Sequence, residues 1–178
     1  MKLRRLIGWS LLVFILDQAS KLWVQSNLTL GETIPVIPNI FDLVHVTNRG
    51  AAFGIFGGMA DPYRFIILTV VSAVAVAVII LYYWSVPSDR KSIQIPLALI
   101  MGGAAGNIFD RIVHGAVVDF LSFHWYNRWA RLDLFGYPFH FKLEWPAFNV
   151  ADMAITCSVL WLLVAMLIGS IDKPAQES

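Results

Sequence analysis

Four long apolar runs constrain this chain more than any other feature. They cover about Leu6–Gln25, Tyr63–Trp84, Ile93–Val113 and Ala147–Ile168. A helix of about 20 apolar residues spans roughly 30 Å of hydrocarbon, so each run meets the length for a membrane crossing. Composition agrees. Of 178 residues, 58% are hydrophobic and 14% charged, where a soluble domain runs at about 45–50% and about 25%. The expectation is an all-α integral membrane protein forming one membrane domain over 1–178. Its long connections fall at about 26–61 and 114–146. The net charge of +1 and the lack of a basic block give no reason to expect nucleic acid.

The N-terminal Met1-Lys2-Leu3-Arg4-Arg5 and the apolar run after it imitate a secretory leader. No convincing small-x-small cleavage site follows, and the run continues into Asp17-Gln18-Ala19-Ser20-Lys21. The reading is an uncleaved first transmembrane helix. Asp61-Pro62 and Pro146 mark helix starts, and Tyr82, Tyr83 and Trp84 form an aromatic belt. Lys2, Arg4, Arg5, Arg90, Lys91 and Lys173 sit at one end of the four spans. The positive-inside rule makes that end cytoplasmic, with both termini there. Arg128, Arg131 and Lys142 oppose it. Within the outer connections, Phe41–Val46 is strand-like, and the aromatic-rich stretch 120–129 is expected in the headgroup interface.

Polar residues inside or beside the apolar runs gather at one depth. At about 1.5 Å per residue, Asn107 lies roughly 20 Å along the third run, with Asp110 and Arg111 further out. Asn149 and Asp152 begin the fourth run, and Asp119 follows the third. Asp17 and Lys21 sit near the outer end of the first, and Asn48 lies in the first outer connection. Ionisable groups at a bilayer boundary are costly, so they mark a candidate functional site. Asp17 and Lys21 are i,i+4 and can pair, while Asn149 and Asp152 share a face at i,i+3. Gly102, Gly103 and Gly106 permit close helix contact. Two facing carboxylates that share a proton are the core of aspartic protease chemistry, which singles out Asp119 and Asp152.

Plainer readings stand beside this one. Asp17 and Lys21 can be a structural ion pair, and Asp110 and Arg111 a helix end meeting headgroups. Cys157 reads as a small apolar residue. His45, His114, His124 and His140 lack ligand spacing, so no metal site is expected. A small proton-coupled transporter or a non-enzymatic scaffold could use the same carboxylates. A transporter would more naturally place polar groups near the midplane and at both ends of a path. Here the cytoplasmic halves of the second and fourth runs are uniformly apolar.

Read in order, the motifs resemble those of one family. They are Asp17-Gln18-Ala19-Ser20-Lys21, Asn48-Arg49-Gly50-Ala51-Ala52-Phe53-Gly54, Gly102 to Arg111, Val117-Val118-Asp119-Phe120 and Phe148-Asn149-Val150-Ala151-Asp152. Their series closely resembles that of lipoprotein signal peptidase, or signal peptidase II, across essentially the whole chain. The resemblance implies a bacterial inner-membrane aspartic endopeptidase. It would cleave prolipoproteins on the amino side of a diacylglyceryl-modified cysteine, in contact with membrane lipid, and be blocked by the cyclic peptide globomycin. It implies catalytic roles for Asp119 and Asp152, and substrate-binding or dyad-supporting roles for Asn48, Gly50, Asn107, Arg111 and Asn149. Asp17, Lys21 and Asp110 would give structural support. It further implies a small β-cradle from the first outer connection, a monomer, and no cofactor. One departure is the segment Arg131–Glu144, which makes the connection between the two aspartates longer than this family leads one to expect.

Overall fold

The structure is a computed structural model that describes residues 1–49, 61–134 and 137–168. In chain order its elements are α1 (Lys2–Asn27), β1 (Thr33–Ile37), β2 (Phe41–Asn48), α2 (Asp61–Ser85), α3 (Lys91–His114), β3 (Val117–Leu134), β4 (Tyr137–Glu144) and α4 (Val150–Leu167). Among the described residues, four helices are long and apolar enough to cross a membrane. Their flanks carry exposed Leu12 and Leu16 on α1, Val70, Val74 and Val78 on α2, and Leu160, Leu163 and Leu167 on α4. Such faces suit lipid, where an apolar exterior incurs no hydrophobic penalty.

Helix α3 is the centre of the bundle and packs against α1, α2 and α4. Its glycines explain how close the helices come. A Cβ at Gly102 or Gly106 would collide with Ser10 backbone or the Asp17 carboxylate on α1, and one at Gly103 would lie 2.6 Å from the Ala151 carbonyl on α4. At one end, Leu6, Tyr83, Val86, Ile93, Leu97 and Ala98 form an apolar cluster. Tyr83 is fully buried there and donates its hydroxyl to the Lys2 carbonyl at 2.9 Å. It belongs to the core, not to the aromatic belt expected of it; Tyr82 and Trp84 are exposed. Buried Gln94 donates to the Pro87 carbonyl at 2.8 Å and accepts from Arg5, which ties the α2–α3 connection to α1.

The label all-α understates this chain. A four-stranded antiparallel sheet runs in the order β1-β2-β3-β4. Among the described residues, the first outer connection supplies β1 and β2; β3 and β4 come from the second. The stretch 120–129 is part of β3, and its Leu121 and Phe123 find apolar partners in β2. Phe41 pairs with Phe123, and Val46 with Asp119. Beyond His124, β3 leaves β2 and pairs with β4 alone, Trp129 with Lys142 and Leu134 with Tyr137. The register shifts between His124 and Trp129, where Tyr126 takes a positive φ of 51°. Segment 131–144 is thus most of a β-hairpin.

Helix α4 starts later than Pro146 signals. Phe148 is held extended against β3, its N–H donating to Leu121 at 3.0 Å and its carbonyl accepting from Leu121 at 2.9 Å. The helix begins only at Val150, with Asn149 as N-cap. Helix α2 begins at Asp61, but the side chains of Asp61 and Pro62 lie outside the described set.

Candidate active site

Asp119 is placed by the turn from α3 into β3. Gly115, with φ 72°, takes the left-handed conformation that ends α3, and its N–H donates to the Arg111 carbonyl at 3.0 Å. The chain reverses into Val117, Val118, Asp119 and Phe120, all buried. Asp110 pins the reversal by accepting from the Val118 N–H at 3.3 Å. Asp110 is 1% exposed, so it does not meet headgroups as its plainer reading supposed.

Asp152 is placed by the start of α4. The Asn149 side chain accepts from the Asp152 N–H at 2.9 Å, and the Asp152 carboxylate accepts from the Asn149 N–H at 3.4 Å. This reciprocal cap satisfies two helix-terminal donors and fixes the carboxylate in the first turn. The other end of the same asparagine turns to β3. Asn149 Nδ2 donates to Asp119 Oδ1 at 2.7 Å and lies 3.2 Å from the Val118 carbonyl. One capping residue therefore connects the two aspartates.

Asn107 on α3 closes the arrangement from below. Its Nδ2 donates to Asp152 Oδ1 at 2.8 Å, while its Oδ1 accepts from Lys21 Nζ at 3.0 Å and Asn149 Nδ2 at 3.3 Å. Lys21 also pairs with Asp17 at 2.7 Å and Asp110 at 2.8 Å. The i,i+4 pair read from the sequence is thus two-thirds of a buried triad that spans α1 and α3. Asp17 further accepts from the Ala151 N–H of α4 at 2.9 Å. Buried charges persist only when paired and hydrogen-bonded, and each of these is.

Asp119 is 3% exposed and also accepts from Asn48 of β2 at 3.1 Å. Burial, then the nearby Asp152 carboxylate, pushes its pKa up to about 7, against hydrogen bonds from Asn48 and Asn149. With that value close to neutral pH, the Asp119 carboxyl can both hold a proton and release it there.

Asn48, Asn107, Asn149, Asp119 and Asp152 therefore meet in one bonded cluster, with Asp17, Lys21 and Asp110 packed beneath. Arg111 is half-buried, its Nη1 lying 3.4 Å from the Asn107 carbonyl and its charge in the field of all three nearby aspartates. Gly50 lies outside the described residues. The sequence reading gave no role to Gln18, whose Nε2 donates to Asp110 at 2.9 Å and Asp17 at 3.1 Å. A glutamine within an apolar run was the available signal. It also missed Asp42 and His124, paired at 3.0 Å where β2 begins against β3. Their signal is the strand register itself, which only pairing reveals. Among the described residues, no group of three or more His, Cys, Asp or Glu could hold a metal.

Fold and site define a multi-pass membrane protein whose carboxylates gather at one end of its bundle. Comparison with known proteins specifies it further. Residues 9–168 match the family described as "Signal peptidase (SPase) II". The chain is 41% identical over 154 residues to the lipoprotein signal peptidase of Syntrophotalea carbinolica, spanning 86% of this chain and 85% of that one. It is 36% identical over 157 residues to that of Pseudomonas aeruginosa, spanning 88% and 84%. A solved structure, a bacterial membrane enzyme determined by the in meso method at 2.3 Å, superposes with a TM-score of 0.67 at 28% identity, covering 97% of this chain and 93% of that one. A second, at 1.9 Å resolution, gives 0.62 at 29% identity, covering 91% and 92%. This chain belongs to the signal peptidase II family, and it is accordingly a bacterial membrane peptidase.

Proposed function

We propose that this chain removes signal peptides from bacterial prolipoproteins, with Asp119 and Asp152 as its catalytic dyad. The observation that carries the dyad is Asn149, which bonds to Asp119 through Nδ2 and caps α4 through Asp152. Asp119, the more buried of the two, holds the shared proton; Asp152 is the more open and takes a proton from the attacking water. Asp119 polarises the scissile carbonyl and later protonates the leaving amine. Asn48, Asn107 and Asn149 fix the carboxyl orientations, and Arg111 holds substrate backbone at the mouth; Gly50, two residues after Asn48 in sequence, is assigned to substrate binding from its motif alone. The chemistry asks for no cofactor.

The scissile bond lies on the amino side of the diacylglyceryl cysteine, whose acyl chains stay in the outer leaflet of the inner membrane. That leaflet matches the end of the bundle where the carboxylates collect. Both termini are then cytoplasmic, and the chain works as a monomeric membrane domain over 1–178. Strands β1 to β3 cradle the substrate at the membrane surface, and the exposed aromatic residues Phe123, Trp125, Tyr126 and Trp129 sit among the headgroups. The β3–β4 hairpin acts as a lid over the entrance. Globomycin blocks the dyad by occupying the same place. The transporter reading would need polar groups along a path, and here they collect at one end.

The deciding experiment is cleavage of a diacylglyceryl prolipoprotein by the purified chain in detergent. Cleavage by the native chain and none by Asp119→Asn or Asp152→Asn is the expected result. Full turnover by either variant would remove it from the dyad, and no cleavage by the native chain would sink the functional reading.

A further inference from the structure

A separate cleft opens at the start of α3, away from the carboxylates, and runs inward along the bundle. It takes in about 380 Å³ between the first half of α3 and the middle of α4. Its origin is Pro96, inside α3. Proline has no N–H, so the Ser92 carbonyl one turn earlier loses its helical donor. Trp161 of α4 replaces it, donating from Nε1 at 2.9 Å. That bond fastens α4 to the first turn of α3. Below it, Pro96, Leu99 and Ala154 leave the cleft open.

The lining changes character with depth. At the mouth stands Lys91, exposed and without an ion-pair partner among the described residues. Beside it is the N-terminus of α3, where the Lys91 and Ile93 N–H groups are taken up by the Asp89 and Arg90 carbonyls, so the Ser92 N–H and the helix dipole are what favour an anion. About 4.5 Å along α4 from Trp161, three residues of helix rise, comes Ser158. It is 3% exposed, and its Oγ has no hydrogen-bond partner among the described residues. A buried hydroxyl left unpaired is unfavourable. Deeper still the wall is apolar.

We propose that this cleft binds one anionic glycerophospholipid from the leaflet at that end. The phosphate sits at Lys91 and the α3 N-terminus, an ester carbonyl accepts from Ser158, and one acyl chain runs along Leu99 and Ala154. The order of charge, single donor and apolar wall follows a lipid from headgroup through ester to chain. Basic mouths between transmembrane helices take anionic headgroups for the same electrostatic reason. An apolar peptide helix would satisfy its carbonyls internally and leave both Ser158 and Lys91 unmet. The site is independent of the peptidase reading, since it shares no residue with the carboxylate cluster.

The test uses the full chain, delipidated in an uncharged detergent. It is titrated with phosphatidylglycerol or with phosphatidylcholine of the same chains, and bound lipid is counted by native mass spectrometry. One phosphatidylglycerol should be retained several-fold more tightly than phosphatidylcholine. Lys91→Gln should erase that preference, Ser158→Ala should weaken both lipids, and Ala154→Phe should remove the site at an unchanged melting temperature. Equal affinity for the two lipids in the native chain would overturn the proposal. So would retention unaffected by Ala154→Phe, or an excess of protein dimers, which would make a second copy the occupant. Stoichiometric displacement of the lipid by a signal peptide would assign the cleft to peptide and likewise overturn it.

Discussion

Strand β3 is two different structures joined end to end. From Val117 to Phe120 it is buried, and it is bonded to β2, the α4 cap and Asp110. Beyond His124 it pairs with β4 alone, and Trp125, Tyr126 and Trp129 are exposed. The first half holds a carboxylate that cannot move without breaking three elements apart. The second half is tied back by the Tyr126 N–H, which donates to the Asn39 carbonyl in the β1–β2 turn at 2.9 Å, and beyond that bond its strand partner is β4 alone. Rigidity here follows from the need of buried polar groups for partners, and among the described hairpin residues the polar Arg131, Asp133 and Glu144 are exposed.

The largest effect expected separates the two halves by chemistry. Asp119→Asn and Asp152→Asn should each lower kcat by about 10²- to 10⁴-fold, the usual worth of one acid–base group. Asp119→Asn should not lower the melting temperature, because the native carboxylate is held in an environment that disfavours its charge. A slow enzyme that is also unfolded would leave catalysis and structure confounded, and would break the distinction drawn for this strand.

Next come the charges. Lys21→Met leaves the buried carboxylates of Asp17 and Asp110 without their cation. Breaking a buried pair in this way costs about 3–5 kcal/mol, readable as a large drop in melting temperature in detergent. Adding Asp17→Asn and Asp110→Asn should recover part of it. On the hairpin, Arg131 and Asp133 pair at 3.1 Å with side chains 60% and 59% exposed. Arg131→Ala should change nothing measurable, since exposed pairs are screened by solvent. Similar melting shifts for the two variants would refute the comparison.

The pH dependence is a gentler probe. A carboxyl whose folded pKa is raised binds its proton more tightly when folded. Its contribution to stability is therefore greatest below the unfolded value of 3.8 and is lost as pH rises towards about 7. If Asp119 must hold a proton to act, kcat/KM should fall above about pH 7. Asn48→Ala removes a hydrogen bond that lowers this pKa, so the alkaline limb should move to higher pH. A limb that stays in place, or shifts to lower pH, would assign it to another group.

Much of this contrast was legible in the sequence, for identifiable reasons. A carboxylate, an asparagine and a lysine at one depth of four apolar runs had to be explained, so the cluster around Asn107 was within reach. Helix spacing gave the Asp17–Lys21 pair. What could not be read was whatever depends on strand register. Phe41 opposite Phe123 and Asp42 against His124 join residues of separate connections, and no local periodicity encodes that. Pro146 misled because the extended link to Phe148 is held by β3, a long-range bond that overrode a local helix-start signal. Tyr83 misled because belt and core tyrosines look alike until the Lys2 carbonyl is seen to accept its hydroxyl.

The smallest effect expected is on the hairpin itself. Trp129 and Lys142 face each other across β3 and β4, so Trp129–Lys142 can be replaced by a two-residue Asn-Gly turn that joins the strands in register. The base of the hairpin, with His124 opposite Glu144, and the link from Phe148 to Leu121 are left intact. The fold and the Asp119–Asn149–Asp152 connection should survive, because none of their hydrogen bonds comes from the excised part. As a lid, the hairpin controls entry and exit more than the chemical step. KM for the prolipoprotein and the potency of globomycin should therefore change more than kcat. A variant that loses kcat with its melting temperature unchanged would place the hairpin in the chemistry. A variant that unfolds would make both halves of β3 one structural unit. A variant indistinguishable from the native chain in KM and inhibition would leave the carboxylate end as the whole of the working enzyme.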